Sequence, residues 1–238
     1  MKVICTVNEL QIEIMEMQLL PVGFVPTMGA LHSGHLSLVS TATELCPLAV
    51  VSIYVNPTQF NDKNDLRNYP RSLENDLQLL ENALRSSDIV FTPDDKEIYP
   101  EEDKRKFNFG NLDLVMEALQ RPGHFNGVAQ VVSRLFEIVK PDIAIFGMKD
   151  FQQLAVIREL VRQTGNKVKI IGNPVIREND GLAMSSRNIL LESGIRKKAS
   201  IIFETISKAS SISSEDITNG GLNLIVTEPQ ERTNRLFT

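Results

Sequence analysis

Apolar residues in this chain fall into two alternating patterns. Short uninterrupted runs at 22–25, 48–55, 88–92, 143–147 and 168–172 are each bounded by Pro, Gly, Asn or charged residues, as expected of strands buried on both faces. Between them, apolar positions recur at helical spacing over 35–45, 72–85, 125–140 and 151–163. Leu73, Leu77, Leu80 and Leu84 form one stripe, and Val128, Val131, Val132, Leu135, Ile138 and Val139 form another; both read as ordinary core. The order β-α-β-α-β, then α-β-α-β, predicts an α/β fold built on a parallel sheet.

After 172 the pattern changes. The stretch "NPVIRENDGLAMSSRNILL" is rich in turn residues, and one helical segment follows it at 195–208. A boundary near 173 therefore divides the chain into a sheet domain, 1–173, and a small C-terminal domain, 174–238. From 209 onward Ser, Asn, Thr and Gly dominate around one short apolar run at 222–226, which offers little core of its own.

Composition narrows the function classes. A chain of 238 residues with 42% hydrophobic content can bury a substantial core. Its net charge of −5 argues against a nucleic-acid surface, so any anion site has to be local. Cys5 and Cys46 are its two cysteines; they form no CxxC pair and no disulfide framework, which points to the cytoplasm. Glu9, Glu13 and Glu16 interrupt any signal-peptide core, and no run approaches the roughly 18 apolar residues of a membrane span. Neither export nor membrane insertion is expected.

The chemistry concentrates where strands hand over to helices. In "VGFVPTMGALHSGHLSLV", 22–39, two of the chain's three histidines, His32 and His35, fall at the start of a helix. Three residues apart, they share a face near the unpaired amides of the first turn, while Gly29 and Gly34 leave room for close approach. Backbone donors, the helix dipole and two imidazoles together suit a phosphate. Read alone, the pair has a helix cap with solvent-facing histidines as its less favoured alternative. The dipole contributes only about 0.3–1 kcal/mol at an exposed site, so nucleotide chemistry needs further cations. Lys149 in "FGMKD" follows a predicted strand and would lie at the same carboxyl edge as His35; an isolated surface lysine is the alternative. "MSSR", 184–187, offers two hydroxyls and a guanidinium, or only a turn. Gln59 after "VNPTQF" and Gln153 in the helix after Lys149 could hold hydroxyl or carboxylate groups of a small substrate, although Gln153 also fits a solvated helix face. "RPGHFNG" places Arg121 and His124 ahead of a long apolar helix, as a further binding loop or as a cap.

In order and spacing, "PTMGALHSGH", "VNPTQF", "YPRSLENDL", "RPGHFNGVAQVVSRLF", "FGMKDFQQL" and "DGLAMSSRN" resemble the pantothenate synthetase (pantoate–β-alanine ligase) family over roughly residues 20–205. His32-Ser33-Gly34-His35 is similar to the HxGH signature of the wider nucleotidyltransferase superfamily. Met184 to Arg187 occupies the place of its second, mobile signature loop. The resemblance implies a Rossmann-like sheet domain followed by a C-terminal lid. It implies an ATP-dependent ligase joining pantoate to β-alanine through a pantoyl adenylate, with release of pyrophosphate and AMP.

Carried onto this sequence, the resemblance implies that Met28, Gly29, Ala30, Leu31, His32, Ser33, Gly34 and His35 contact ATP, with His35 as the family's proposed proton donor and His32 assisting it. Gly147, Met148, Lys149, Asp150, Ile176, Met184, Ser185, Ser186 and Arg187 would complete the nucleotide site, Lys149 acting on the phosphates. Gln59 and Gln153 would bind pantoate, and Gln59 would also meet β-alanine. Magnesium would be carried chiefly by the triphosphate, with Asp76 a possible protein partner. A homodimer formed through the larger domain is implied as well, with no nucleic acid and no membrane as partner. Two departures stand out. Met148 replaces an acidic residue common among relatives, and "PQERTNRLFT" does not match the family's basic and aliphatic ending, which implies a shortened lid. The competing readings are a related nucleotidyltransferase that transfers AMP to a phosphorylated acceptor, against which "VNPTQF" argues, and a truncated nucleotide-binding protein with impaired catalysis.

Overall fold

The computed structural model describes residues 1–210, and in it the apolar runs are strands and the striped segments are helices. In chain order the elements are β1 (Lys2–Ile4), α1 (Val7–Met17), β2 (Val22–Thr27), α2 (Ser33–Leu45), β3 (Leu48–Ile53), α3 (Lys63–Asn68), α4 (Leu73–Glu81), β4 (Ile89–Phe91), α5 (Asp95–Ile98), α6 (Glu117–Gln120), α7 (His124–Val139), β5 (Ile143–Gly147), α8 (Phe151–Thr164), β6 (Lys169–Asn173), α9 (Ser193–Lys198) and α10 (Ser200–Ser210). Short 3-10 turns at Pro57–Gln59 and Met148–Asp150 follow β3 and β5.

The six strands form one sheet in the order β1-β4-β3-β2-β5-β6, and every pairing is parallel, as the alternation of elements predicts. Successive residues of a strand face opposite sides, which explains runs that are apolar throughout. Val22, Phe24, Leu48, Val50, Ile89, Phe91, Ala144 and Phe146 join one core with Leu10 of α1, the stripe of α7, and Leu154 and Ile157 of α8. The intervening Val25, Ala49, Val51, Val90 and Ile145 join a second core with Leu38 and Val39 of α2 and Leu80 of α4. The result is three layers, with helices covering both faces of the sheet.

Boundaries differ from the sequence reading for local reasons. β3 ends at Ile53, two residues early, because Tyr54 N–H turns to the carbonyl of Thr27 and Asn56 caps the next turn. α4 stops at Glu81, since Ala83 and Leu84 both donate to the Leu80 carbonyl and Arg85 is drawn out of the helix by Asp88. That aspartate is fully buried, and it also accepts from Ala49 N–H, so it ties the α4–β4 connection to β3. The single helix expected at 195–208 is two, α9 and α10, separated at Ala199. β1 and α1 add to the elements that the pattern predicts: β1 has three residues at the sheet edge, too short to leave a periodic signal.

By compactness the chain divides into Met1–Val175 and Ile176–Thr238. The first unit contains the whole sheet. Within the second, Arg177 and Ala183 form an antiparallel bridge, and the Arg177 guanidinium lies 4.4 Å from the Phe203 ring centroid. The apolar run at 222–226 lies outside the described residues. Among the described residues no helix is long and apolar enough to cross a membrane.

Candidate active site

The chain runs outward from β2 through β3 to β4 on one side, and places β5 and β6 on the other, so the strand order reverses between β2 and β5. In open parallel sheets the crevice outside the carboxyl ends at such a reversal is where ligands bind. Two loops leave from there: residues 28–32 after β2, and the 3-10 turn Met148–Asp150 after β5. The HSGH and MKD motifs are therefore neighbours by topology.

The first loop is held by hydrogen bonds along nearly its whole length. Thr27 Oγ1 donates to the Ser52 carbonyl at 2.7 Å and accepts from Gly29 N–H at 3.2 Å. The Asp76 carboxylate, on α4, accepts from Ala30 N–H at 2.9 Å and Leu31 N–H at 2.7 Å. His32 is the N-cap of α2: its Nδ1 accepts from Gly34 N–H at 3.1 Å, and His35 Nδ1 accepts from His32 N–H at 3.3 Å. The two half-buried imidazoles lie 4.1 Å apart between centroids. This is a reciprocal capping box in which histidine replaces the usual hydroxyl and carboxylate.

The cap changes what the turn can offer an anion. The sequence reading expected unpaired first-turn amides, but those of His32 and Gly34 are already given to imidazoles. Because Nδ1 of His35 accepts, its neutral ring carries the proton on Nε2. Burial above all, then the nearby His32 and Lys149, hold the His35 pKa down at about 3 from an ordinary 6.5. His35 is a neutral N–H donor at physiological pH. Lys149 is exposed and pairs with Asp150 at 3.0 Å, a contact easily exchanged for a phosphate.

Gln59, in the 3-10 turn after β3, is buried, and its Nε2 donates to Met28 Sδ at 2.7 Å. The amide expected at pantoate thus touches the first residue of the loop expected at ATP. Asn56, which sequence reasoning left without a role, and His124, which it offered as part of a binding loop or a cap, hold this turn against α7. Asn56 Nδ2 donates to the Gly127 carbonyl at 3.2 Å, and His124 Nδ1 lies 2.7 Å from the Gln59 carbonyl. A Cβ on Gly127 would come within 2.5 Å of the Thr58 carbonyl oxygen, so glycine is needed for this approach. The Asn-Pro pair marks Asn56 as a turn cap from sequence alone; the buried His124 carries no such local signal.

Gln153 and its neighbour divide the work. Gln152 is buried and bonds Leu112 and Val115 carbonyls and Glu117 N–H, fastening 112–117 to α8. Gln153 is half-buried, and its side chain makes no hydrogen bond among the described residues.

Both oxygens of Asp76 face loop amides, and among the described residues no three His, Cys, Asp or Glu side chains gather as a metal cage. The expectation of Asp76 as a protein partner of magnesium is therefore not met, because the loop amides occupy both of its oxygens. In the second unit, Met184 N–H bonds the Ile176 carbonyl at 3.0 Å, and Arg187 N–H and Asn188 N–H bond Ser185 Oγ and O at 3.3 and 3.0 Å. Ile176, Met184, Ser185, Ser186 and Arg187 thus form one small half-buried loop.

Comparison with known proteins bears on these features. The sequence profile of the Pantoate-beta-alanine ligase family matches residues 2–235. Pantothenate synthetase of Bacteroides thetaiotaomicron is 53% identical over 211 residues, which cover 88% of this chain and 74% of that protein. Its counterpart in Bacteroides fragilis is 54% identical over the same length and shares. Among solved structures, pantothenate synthetase from Thermus thermophilus superposes with a TM-score of 0.87 at 41% identity, covering 99% of this chain and 83% of that one. Pantoate-beta-alanine ligase from Francisella tularensis, complexed with beta-gamma ATP and beta-alanine, gives 0.82 at 34% identity, covering 98% and 86%.

Proposed function

This chain belongs to the pantoate-beta-alanine ligase family, and we propose from that premise how its residues share the ATP-dependent condensation of pantoate with β-alanine. A pantoate carboxylate oxygen attacks the α-phosphorus of ATP. The bond from that phosphorus to the bridging oxygen breaks, and pyrophosphate leaves with the electron pair. The amine of β-alanine then attacks the acyl carbon of the pantoyl adenylate, loses a proton, and expels AMP to give pantothenate. Neither step demands a protein nucleophile, and both are displacements governed by positioning and charge.

The residues divide accordingly. Residues 28–35 form the nucleotide wall, on which His35 donates a hydrogen bond from Nε2 to a phosphate oxygen. His32 fixes His35 through the cap, and Lys149 adds charge once released from Asp150. Gly147 and Met148 carry the backbone of that second loop. Ile176 and the Met184–Arg187 segment add hydroxyl and guanidinium donors for the phosphates. Gln59 and Gln153 orient pantoate, and Gln59 meets β-alanine. Neutral His35 is a hydrogen-bond donor from the outset; it becomes a proton donor only once an arriving phosphate raises its pKa. Magnesium, bound to the triphosphate, would supply further charge neutralisation. The same reading carries a cytoplasmic homodimer formed through the larger domain.

What supports this division is the Gln59–Met28 contact, which makes an amide suited to pantoate and the nucleotide loop one continuous surface. Aligning carboxylate and α-phosphorus can remove about 7–11 kcal/mol of barrier. The direct test is exchange of labelled pyrophosphate into ATP without β-alanine. Exchange that depends on pantoate is the expected result. Exchange that ignores pantoate points to a transferase with another acceptor, and ATP-induced thermal stabilisation with no exchange points to a nucleotide-binding protein alone.

A further inference from the structure

Asp76 is 2% exposed, lies 45 residues beyond the loop it serves, and has no part in the chemistry above. Its Oδ2 accepts from Ala30 N–H and its Oδ1 from Leu31 N–H, at 2.9 and 2.7 Å. The backbone they support is unusual: Gly29 has φ +76° and Ala30, with a side chain, φ +50°. A Cβ on Gly29 would approach Asp76 Oδ2 to 2.8 Å, so the carboxylate fills the space glycine leaves. Successive amides in such a turn form a concavity that attracts anions. Here the protein fills that concavity with its own carboxylate. The loop is consequently shaped before a nucleotide arrives, and a phosphate has to be met farther along, at the imidazoles and Lys149. Burial raises the Asp76 pKa, while the Leu31 and Ala30 amides oppose that rise.

We propose that Asp76 is a positioning residue for adenylate formation, a clasp that fixes the nucleotide loop through Ala30 and Leu31, and not a ligand of magnesium. The proposal rests on residues 28–35 receiving ATP. If the wild type shows no pantoate-dependent pyrophosphate exchange, that reading fails by itself, independently of Asp76.

Given exchange in the wild type, Asp76→Asn is the informative variant. It keeps the shape but turns one acceptor into a donor facing an amide N–H. The KM for ATP should rise about tenfold to a hundredfold, with the KM for β-alanine and the magnesium concentration for half-maximal rate at saturating ATP unchanged. Adding Ala30→Gly to Asp76→Asn should recover several-fold of the lost ATP affinity, because glycine adopts the left-handed conformation without support. A role confined to packing α4 would give no such rescue. An unchanged KM for ATP, absence of rescue, or a rise in the magnesium requirement alone would overturn the proposal. Should Asp76→Asn not fold, hydrogen exchange in the ligand-free wild type decides. Ala30 and Leu31 amides should exchange as slowly as those of β2, and exchange at loop rates would contradict the clasp.

Discussion

The two loops assigned to the nucleotide are held by opposite means. Residues 28–35 are fixed by the buried Thr27 Oγ1, by both oxygens of the buried Asp76, and by the nitrogens of two half-buried imidazoles. In the second unit, the half-buried segment around Met184–Arg187 is held by side chains at its flanks. Arg196 pairs with Glu178 and Asp180, and Asn188 Nδ2 bonds Glu178 Oε1 at 2.7 Å and the Ala183 carbonyl at 3.1 Å. The charge-assisted bonds from Asp76 to backbone resist salt and are costly to break, whereas partly exposed ion pairs such as those of Arg196 are weaker and more easily exchanged. The comparison sets a loop held mainly by a buried carboxylate against one held by partly exposed ion pairs.

The largest expected effect lies on the wall. His35→Ala or Lys149→Ala should slow adenylate formation about a hundredfold or more in single-turnover assays with the fold retained by circular dichroism, His35→Ala also losing about 0.5–2 kcal/mol of stability with its half of the cap. Wild-type rates in both would place the phosphate elsewhere. Next, Gly29→Ala forces a side chain into a left-handed turn against Asp76 Oδ2. It should cost about 1–3 kcal/mol in chemical denaturation and raise the KM for ATP; a neutral outcome would mean that the wall is as adaptable as the second loop. On that loop, Arg196→Gln should raise the KM for ATP only about threefold and leave the denaturation midpoint of the sheet unit unchanged. An effect as large as that of His35→Ala would erase the contrast.

The remaining effect is silent at neutral pH and concerns acid stability. Between about pH 3 and 6.5 the unfolded chain binds a proton at His35 that the folded chain does not, so this residue lowers stability as pH falls through that window. His35→Gln should flatten the acid-side decline in melting temperature, and an unaltered decline would show that the imidazole titrates normally.

Much of this was legible in the sequence, and the limits have physical causes. Strands such as 48–53 and 143–147 announce themselves because both faces are buried, which forces unbroken apolar runs. His35 and Lys149 could be placed together because parallel strands bring their carboxyl ends to one edge. Local pattern could not show that Asp76 belongs to amides 45 and 46 positions earlier, or that His124 meets a carbonyl 65 positions earlier. Nor could it separate Gln152 from Gln153: adjacent identical residues on one helix differ only in what lies opposite them. The motif alone left an open anion site and a histidine cap as alternatives; the structure shows the cap, half-buried, with the His32 and Gly34 amides already taken by imidazoles.

The account turns on the protonation state and tautomer of one ring. Nitrogen-15 NMR of the ligand-free protein with labelled histidine reads both directly. The His35 ring should remain neutral, with its proton on Nε2, across the range in which an ordinary imidazole titrates. Titration near 6.5, or a proton on Nδ1, would contradict the preformed donor on which the nucleotide wall depends.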